Sequence, residues 1–447
     1  MNETMMGTVQ YRSQTVPGYG GNPFIEALPP RLDPLKAAEL MVSRPVYEPG
    51  FRRMPSDDRI ASVDQLGGWF IPLERHLPLY ADIDRVLRSG YMNRNPLAPT
   101  FARAFHEGFE HLTQRPSRTA VPGRTITIVG ESGVSKSRGL EAILSLYPPV
   151  IRHTRYHQEP FIVHQLPWVK VNCPTNGSFK STLLTFFDAV EQWIPNVLGS
   201  RNAAVEPMIV KMGAVAHRHG LGLLVIDEVQ QLLNGNSATA ILRYFVALQN
   251  VLGVPLILAG HEGVETLLLQ LQSEAQRFSG EGNHQFRALP EGPQWEYFVK
   301  RLWHYQWTAN STALTDAWKK HLYAFTGGNP GVTVKFYQAL QRDAIRRGGN
   351  EALSFERMEP VWRQDFRYMP EPVALKTLAI VESTPKTVEL EAKRQRTSKP
   401  KPRPAEGGLP DVLDLAAKSR QDPLELLEAM GVVKSAQEWF PGDGWPS

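Results

Sequence analysis

The amino-acid sequence predicts an α/β fold, in which a parallel five-stranded sheet carries helices on both faces. Three observations predict it. Short apolar runs alternate with longer amphipathic segments in the middle of the chain, as in a succession of strands and crossover helices. Most of these runs are apolar throughout, which is typical of parallel strands buried on both faces. The first run also leads directly into a glycine-containing loop and a helix.

The order of elements along the sheet region follows from this alternation. The predicted strands are Thr125–Val129, Trp168–Val171, Leu221–Ile226, Val254–Ala259 and Gln285–Leu289. The predicted helices between them are Arg138–Leu146, Lys180–Ile194 and Ala238–Leu252, and Leu314–Phe325 and Gly331–Arg347 follow the last strand.

Composition and periodicity divide the chain into four regions. A helical N-terminal region, periodic across Leu77, Ile83 and Val86, precedes the sheet, and an all-helical lid follows it. A flexible tail ends the chain. The predicted boundaries are 1–122 for the N-terminal region, 123–305 for the sheet domain, 306–372 for the lid and 373–447 for the tail.

Overall composition excludes several classes of protein. With 447 residues, 42% hydrophobic and 21% charged, the chain is globular and long enough for more than one domain. Its single cysteine, Cys173, excludes an intrachain disulfide framework and a thiolate zinc site, and fits a reducing cytoplasm. No apolar run approaches the roughly 18 residues of a membrane helix, and the N-terminus lacks the pattern of a secretory signal.

The net charge of +4 is concentrated in the tail. Lys386–Pro404 holds seven basic and two acidic residues, so the rest of the chain is close to neutral. A short helix follows, with Asp422 as N-cap and Gly431 as stop. This pattern predicts either a docking peptide on a flexible tether or a tail that packs against the lid.

The loop after the first strand has the pattern of a P-loop. Its residues, Gly130 to Ser137, place free N–H groups at a helix N-terminus, where the helix dipole also favours phosphate. Lys136 is expected to reach the β- and γ-phosphates and Ser137 to bind Mg²⁺. Ser135 stands where glycine is usual, and a chance Gly/Ser turn is the alternative interpretation. The predicted nucleotide-binding residues are Gly130, Glu131, Ser132, Gly133, Val134, Ser135, Lys136, Ser137 and Arg138.

Two carboxylates end the third predicted strand. The run Leu223–Ile226 leads into Asp227 and Glu228, at the strand edge where parallel sheets bind ligands. Asp227 is expected to hold Mg²⁺ and Glu228 to orient and deprotonate the attacking water. A strand that simply ends in a polar loop is the alternative, which the P-loop at this order and spacing weakens.

These motifs carry a resemblance to a known family. The loop lysine, the Asp-Glu strand, a later strand ending near Gly260-His261, Arg277-Phe278 and a helical lid resemble an AAA+ ATPase of the initiator group. More narrowly, the chain resembles the transposition regulators TnsC and TniB over about residues 18–345. The residues that carry this narrower resemblance are Tyr19–Pro30, Gly90-Tyr91, Arg94-Asn95-Pro96, Trp168–Pro174, Gly177–Lys180 and Phe186-Phe187.

The resemblance implies a bacterial, cytoplasmic regulator that binds ATP and Mg²⁺ and forms a ring or helical filament on double-stranded DNA. Its implied partners are a transposase and a target selector of the TniQ or TnsD type. Arg277 is implied as an arginine finger that reaches a neighbouring subunit's γ-phosphate, with an ordinary surface arginine as the alternative. His261 takes the position of a polar sensor residue, or else a structural role at the strand end. No arginine stands at Thr326–Val332, where many AAA+ lids carry one, which predicts slow intrinsic hydrolysis.

Contacts with DNA are predicted at two places. In the resembling proteins the loop and helix start after the second strand face the DNA, which implies Lys180, with Lys170 nearby. The cationic, aromatic stretch Arg152–His157 offers Arg152 and Arg155 to phosphates. For each of these residues the alternative is a solvated charge.

The aromatic residues before the P-loop are expected to form core or a wall of the adenine pocket, not a base-stacking platform. They are Trp69, Phe70, Phe101, Phe105 and Phe109.

The sequence leaves three functions open. One is a DNA-bound, ATP-hydrolysing regulator of transposition, and the second is a scaffold in which ATP licenses assembly with little or no turnover. The third is a signalling NTPase of the STAND class, although sensor repeats are not recognisable after the lid.

Overall fold

The computed structural model describes residues 9–99, 101, 124–197, 201–261, 263, 282–369 and 372. All of these lie in Met1–Leu378, the first of two compact units of the chain. The strands within these residues are β1 (Thr125–Gly130), β2 (Ile151–Tyr156), β3 (Glu159–Gln165), β4 (Trp168–Asn172), β5 (Leu223–Asp227), β6 (Leu256–Gly260) and β7 (Asn283–Phe286).

Five of these strands form one parallel sheet in the order β4–β5–β6–β1–β7. The alternating side chains of β5 explain why the sheet is covered on both faces. Leu223 and Val225 enter the core on one face, whereas Leu224 and Ile226 enter the core on the other. The α/β class and the five parallel strands predicted from sequence are therefore confirmed.

Helices cover both faces of the sheet, and helices also form the regions that precede and follow the sheet domain in the sequence. They are α1 (Pro23–Glu26), α2 (Pro34–Met41), α3 (Ser56–Asp64), α4 (His76–Tyr91), α5 (Lys136–Leu144), α6 (Phe179–Glu191), α7 (Val205–Arg218), α8 (Ala238–Leu252), α9 (Pro293–Trp303), α10 (Asp316–Thr326), α11 (Pro330–Arg347) and α12 (Met358–Asp365). Helices α6, α7 and α8 bury their apolar sides on one face, and α4 and α5 cover the other. The sequence analysis located α8 with these bounds and did not foresee α7.

A third core joins the lid to part of the N-terminal region. Val63, Leu66 and Trp69 pack with Trp295 just before the lid and with lid residues that include Trp307. A buried ion pair also joins α3 to the lid. Arg59 Nη2 donates to Glu351 Oε1 at 2.9 Å, and Arg59 Nη1 donates to Glu351 Oε2. Helix α3 and the lid therefore form one packed body.

The stretch Arg152–His157, which the sequence analysis described only as cationic and aromatic, is part of a β-hairpin. Strands β2 and β3 pair antiparallel, and the residues of β2 alternate between buried and exposed. His153 is buried, hydrogen-bonded to Tyr11 Oη at 2.7 Å and to Gln165 Oε1 at 2.9 Å. The charged residues Arg152 and Arg155 lie on the exposed side. Because of these polar residues, the strand lacks a continuous apolar run and was not predicted as a strand.

Several expectations fall outside the described residues. These are the tether and helix of the tail, Arg277, Phe105 and Phe109. In the part that the structure describes, no helix has both the length and the apolar composition to cross a membrane.

Candidate nucleotide site

The loop that joins β1 to α5 requires two of its glycines. A Cβ at Gly130 would lie 1.9 Å from the carbonyl oxygen of Phe286, so only glycine allows β7 to approach β1 here. Gly133 has φ +81°, a conformation that side chains other than glycine rarely adopt. The loop is therefore shaped by close backbone approach, as a phosphate-binding loop requires.

Lys136 points back over this loop from the first position of α5. Its ammonium donates to the carbonyl oxygens of Gly130 and Glu131, each at 2.6 Å. Burial lowers the pKa of this ammonium, although the carboxylates of Glu228 and Asp227 oppose the shift. The lysine thus lies within the electrostatic reach of both predicted acidic residues.

Ser135 adopts the left-handed conformation, with φ +69° and ψ +25°. Leaving the right-handed region costs a side chain about 1–2 kcal/mol. The glycine that is usual here would avoid that cost. The serine of this chain therefore makes the loop conformation less favourable than glycine would.

Asp227 and Glu228 lie at the carboxyl end of β5. Asp227 is buried, and its Oδ1 accepts the Glu228 N–H at 2.9 Å. Glu228 is exposed and also left-handed, with φ +58°. Strained backbone of this kind concentrates at functional sites, so the conformation supports the role predicted for Glu228.

The donor set fits Mg²⁺. The Ser137 hydroxyl and the Asp227 carboxylate are oxygen ligands, and Mg²⁺ is commonly bound by one or two carboxylates together with substrate phosphates. The ion would neutralise phosphate charge during transfer.

A cavity of about 400 Å³ connects these groups. Three parts of the chain line it: the P-loop with the ends of β5 and β6, the N-terminal segment before α4, and the start of α11. The lining residues include Trp69, Phe70, Ile71, Ser135, Lys136, Ser137, Arg138, Glu228, His261, Gly331, Lys335 and Gln338. Trp69 and Phe70 are both buried and form a wall of the cavity, as the sequence analysis expected.

The lid contacts the P-loop directly through the start of α11. Asn329 Nδ2 donates to the Ser132 carbonyl at 2.8 Å, and the Gly331 N–H donates to the Gly133 carbonyl at 2.8 Å. Lys335 follows one helical turn after Gly331 and faces the cavity. The sequence analysis missed this lid cation because it searched only Thr326–Val332 for a basic residue; the helix start at Asn329-Pro330 was the available signal.

Two other predicted site residues also lie at the cavity. Arg138 donates to the carbonyls of Gly67 and Gly68 and so ties the N-terminal segment to α5. The His261 N–H donates to Gln230 Oε1 at 3.1 Å, and Gln230 Nε2 donates to Glu228 Oε2. His261 is therefore linked to Glu228 through the side chain of Gln230.

The four predicted DNA-binding residues are not brought together. Lys180 lies in the first turn of α6, at the carboxyl edge of the sheet, whereas Arg152 and Arg155 lie on the hairpin that leads into the amino end of β4. Lys170 forms ion pairs with Glu141 at 2.6 Å and with Asp227 at 3.3 Å. Its ammonium is therefore engaged by two carboxylates, one of them the predicted Mg²⁺ ligand Asp227.

Comparison with known proteins agrees with this geometry. Residues 121–268, less than half of the chain, match the family model of an AAA domain. No curated protein matches the chain.

Solved structures with a similar fold include three archaeal proteins. The Walker-type ATPase of Pyrococcus abyssi is 14% identical, with 74% of this chain and 89% of that one covered and a TM-score of 0.37. Cdc6p of Pyrobaculum aerophilum is 12% identical, with 76% and 84% covered and a TM-score of 0.39. The ORC1 protein of Aeropyrum pernix, solved in complex with DNA, is 13% identical, with 83% and 87% covered and a TM-score of 0.39.

These structural similarities are too weak to carry an argument about function. The family match and the geometry agree on the loop, the acidic strand end and the parallel sheet between them. The chain therefore carries an AAA-type P-loop ATPase domain.

Proposed function

We propose that the chain is an ATP-dependent regulator of DNA transposition that assembles on double-stranded DNA and links target selection to transposase recruitment. The observation that carries its ATPase part is the meeting of Lys136, Ser137, Glu228 and the lid residue Lys335 at one cavity. Such a cavity can bind a nucleoside triphosphate between the P-loop and the lid, and Glu228 supplies a carboxylate that could activate water there.

The resemblance to TnsC and TniB supports the transposition part, and several of the residues that carry this resemblance contact one another in the structure. Asn22 Nδ2 donates to the Tyr91 carbonyl at 2.9 Å, and Asn95 Nδ2 donates to the Gly21 carbonyl at 2.9 Å. The Tyr91 hydroxyl donates to the Gly220 carbonyl at 2.7 Å, just before β5. These separate sequence motifs thus share one structural role, because together they hold the N-terminal region against the sheet domain.

The proposed DNA surface is the pair of loops that follow β4 and β5. Asn236 Nδ2 donates to the Gly177 carbonyl at 2.7 Å and Asn234 Nδ2 to the Thr175 carbonyl at 3.3 Å, so the loops hold each other in place. The N-termini of α6 and α8 both begin here, near Lys180. Helix N-termini, amide side chains and lysine are the usual donors to DNA phosphates, and they recognise the backbone without reading sequence.

A ring or filament fits this surface, because each subunit offers few charges and affinity for DNA would accumulate over many subunits. Arg152 and Arg155 would then contact a second stretch of duplex. Arg277 stays a proposal as the arginine finger, and the tail as the docking element for a transposase or a TniQ- or TnsD-type selector in the bacterial cytoplasm.

The test compares ATP hydrolysis with and without duplex DNA in the wild type and in Glu228→Gln. We expect DNA to stimulate phosphate release in the wild type, and the variant to bind ATP and assemble on DNA without releasing phosphate. Electron microscopy with a non-hydrolysable ATP analogue should show rings or filaments on DNA. Monomers under all conditions would contradict the proposal.

A second candidate is an ATP-binding scaffold with little turnover, which the left-handed Ser135 favours because it strains the loop. Assembly on DNA that depends on nucleotide, without phosphate release from the wild type, would select this candidate. The transposition role itself is tested in cells that carry the cognate transposon, where Lys136→Ala should abolish insertion.

A further inference from the structure

Arg75 lies against the outside of the P-loop although it belongs to the N-terminal region, directly before α4. Its Nη2 donates to the Val134 carbonyl at 2.7 Å and lies 3.5 Å from Ser135 Oγ. Its Nη1 donates to the Arg287 carbonyl beyond β7, and the guanidinium stacks 4.9 Å from the ring centre of Phe286. The side chain therefore bridges the loop and the sheet edge.

The contact falls on the peptide that precedes Ser135, the non-glycine residue of the loop with a positive φ. The Val134 carbonyl accepts both from Arg75 and from Ser135 Oγ, which donates to it at 2.6 Å. In a trans peptide the N–H points opposite to the carbonyl. Fixing the Val134 carbonyl outward thus directs the Ser135 N–H the other way, and Ser135 itself lines the cavity.

We propose that Arg75 is a positioning residue for nucleotide binding, which holds the strained Ser135 peptide in the orientation that offers its N–H to phosphate. A glycine at this position would adopt the left-handed conformation without help. Serine requires an external contact, and Arg75 provides it from a distant part of the chain.

The charge of Arg75 adds to the same effect. Among the described residues no carboxylate pairs with it, and burial lowers its pKa to about 10. The guanidinium remains charged at neutral pH and contributes positive potential beside the phosphate loop.

The inference rests on the proposed nucleotide binding at this loop. The experiment measures the affinity of the full-length chain for a fluorescent ATP analogue, together with the melting temperature without nucleotide. The variants are Arg75→Met, Arg75→Lys, Ser135→Gly and the double variant Arg75→Met with Ser135→Gly. Arg85→Met is the matched control, because Arg85 lies on α4 and pairs with Asp82 at 3.1 Å, away from the loop.

We expect Arg75→Met to weaken nucleotide affinity about tenfold. Arg75→Lys should recover little, because the compact ammonium of lysine lacks the planar fork with which the guanidinium reaches both carbonyls while it stacks on Phe286. Ser135→Gly should bring the affinity of Arg75→Met back to within about threefold of the Ser135→Gly variant alone. The Arg85→Met control should bind like the wild type.

Three results would overturn the inference: unchanged affinity in Arg75→Met, full affinity in Arg75→Lys, or a double variant whose loss equals the two single losses combined. If Arg75→Met unfolds, the remaining comparison is Arg75→Lys with and without Ser135→Gly. Failure of the proposed function looks different, because the wild type would then bind no better than Lys136→Ala.

Discussion

The two walls of the nucleotide cavity are built in different ways. One wall comes from a short stretch of the P-loop, Ser132 to Arg138, so its functional groups are neighbours in the sequence. The other wall combines the segment around Trp69–Ile71 with the start of α11, which are far apart in sequence. The first wall carries the groups predicted to bind phosphate. The shape of the second wall depends on how the N-terminal region and the lid pack together.

This difference implies that the cavity can be damaged in two separable ways. Substitutions in the contiguous wall should remove phosphate binding and spare stability. Substitutions in the composite wall should first loosen the joint between α3 and the lid, and weaken nucleotide binding as a consequence.

The largest effect on stability is expected from Arg59→Met, at the joint between α3 and the lid that supports the composite wall. The Arg59 and Glu351 side chains are only 7% and 8% exposed, so the variant leaves a buried carboxylate without its partner. Breaking a buried pair in this way costs about 3–5 kcal/mol. Urea denaturation should show the loss, and addition of Glu351→Gln should recover part of it.

A matched control joins α3 to the lid at the surface. Arg342 Nη1 donates to Asp64 at 2.6 Å, and this aspartate is 60% exposed. Arg342→Met should cost under about 1 kcal/mol, because exposed pairs contribute little. Equal losses in Arg59→Met and Arg342→Met would contradict the special role of the buried pair.

Lys136→Ala tests the contiguous wall. We expect at least a roughly 100-fold loss of nucleotide affinity, since a buried cation next to the phosphates is removed. The melting temperature without nucleotide should change little or rise, because burial of this ammonium is unfavourable. Isothermal titration calorimetry measures the first quantity and a thermal scan the second; retained affinity would refute the site assignment.

The same contrast explains how much could be predicted from the sequence. The P-loop and Asp227-Glu228 were located because the chemistry and the strand–loop–helix context are local. The predicted bounds of the last strand lay too far toward the C-terminus of β7. Pairing with β1, from Thr127–Asn283 to Gly130–Phe286, sets the bounds of β7, and hydrophobicity does not reveal that pairing. The hairpin was missed because its polar face is exposed and its buried face depends on Tyr11 and Phe24, which come from the N-terminal region.

Cavity-lining residues of the composite wall were partly foreseen. Trp69 and Phe70 were expected to pack in the core or to line a pocket, and in the structure each of them does both. Lys335 and Arg75 did not stand out by residue type, because a single basic residue in a helix or before one is ordinary in any sequence. Only tertiary packing brings them to the loop.

Lys335→Ala should have a smaller effect than Lys136→Ala, because Lys335 is exposed at the cavity edge. We expect about a tenfold loss of affinity for an ATP analogue, with unchanged stability. Arg346→Ala is the control, since Arg346 is a basic, exposed residue in the last turn of the same helix. If both variants bind nucleotide equally well, the lid supplies shape to the cavity and no charge.

Ser135→Gly should have the smallest effect and the opposite sign. Relief of the left-handed strain favours the variant by about 1–2 kcal/mol, and the greater freedom of glycine in the unfolded chain offsets part of this, so a net gain below about 1 kcal/mol is expected. Ser132→Gly, in the same loop at a residue without positive φ, gains no such relief and should lose stability. A thermal scan without nucleotide compares the two variants; a loss in both would mean that contacts of Ser135, including its hydrogen bond to Val134, outweigh the strain of its backbone.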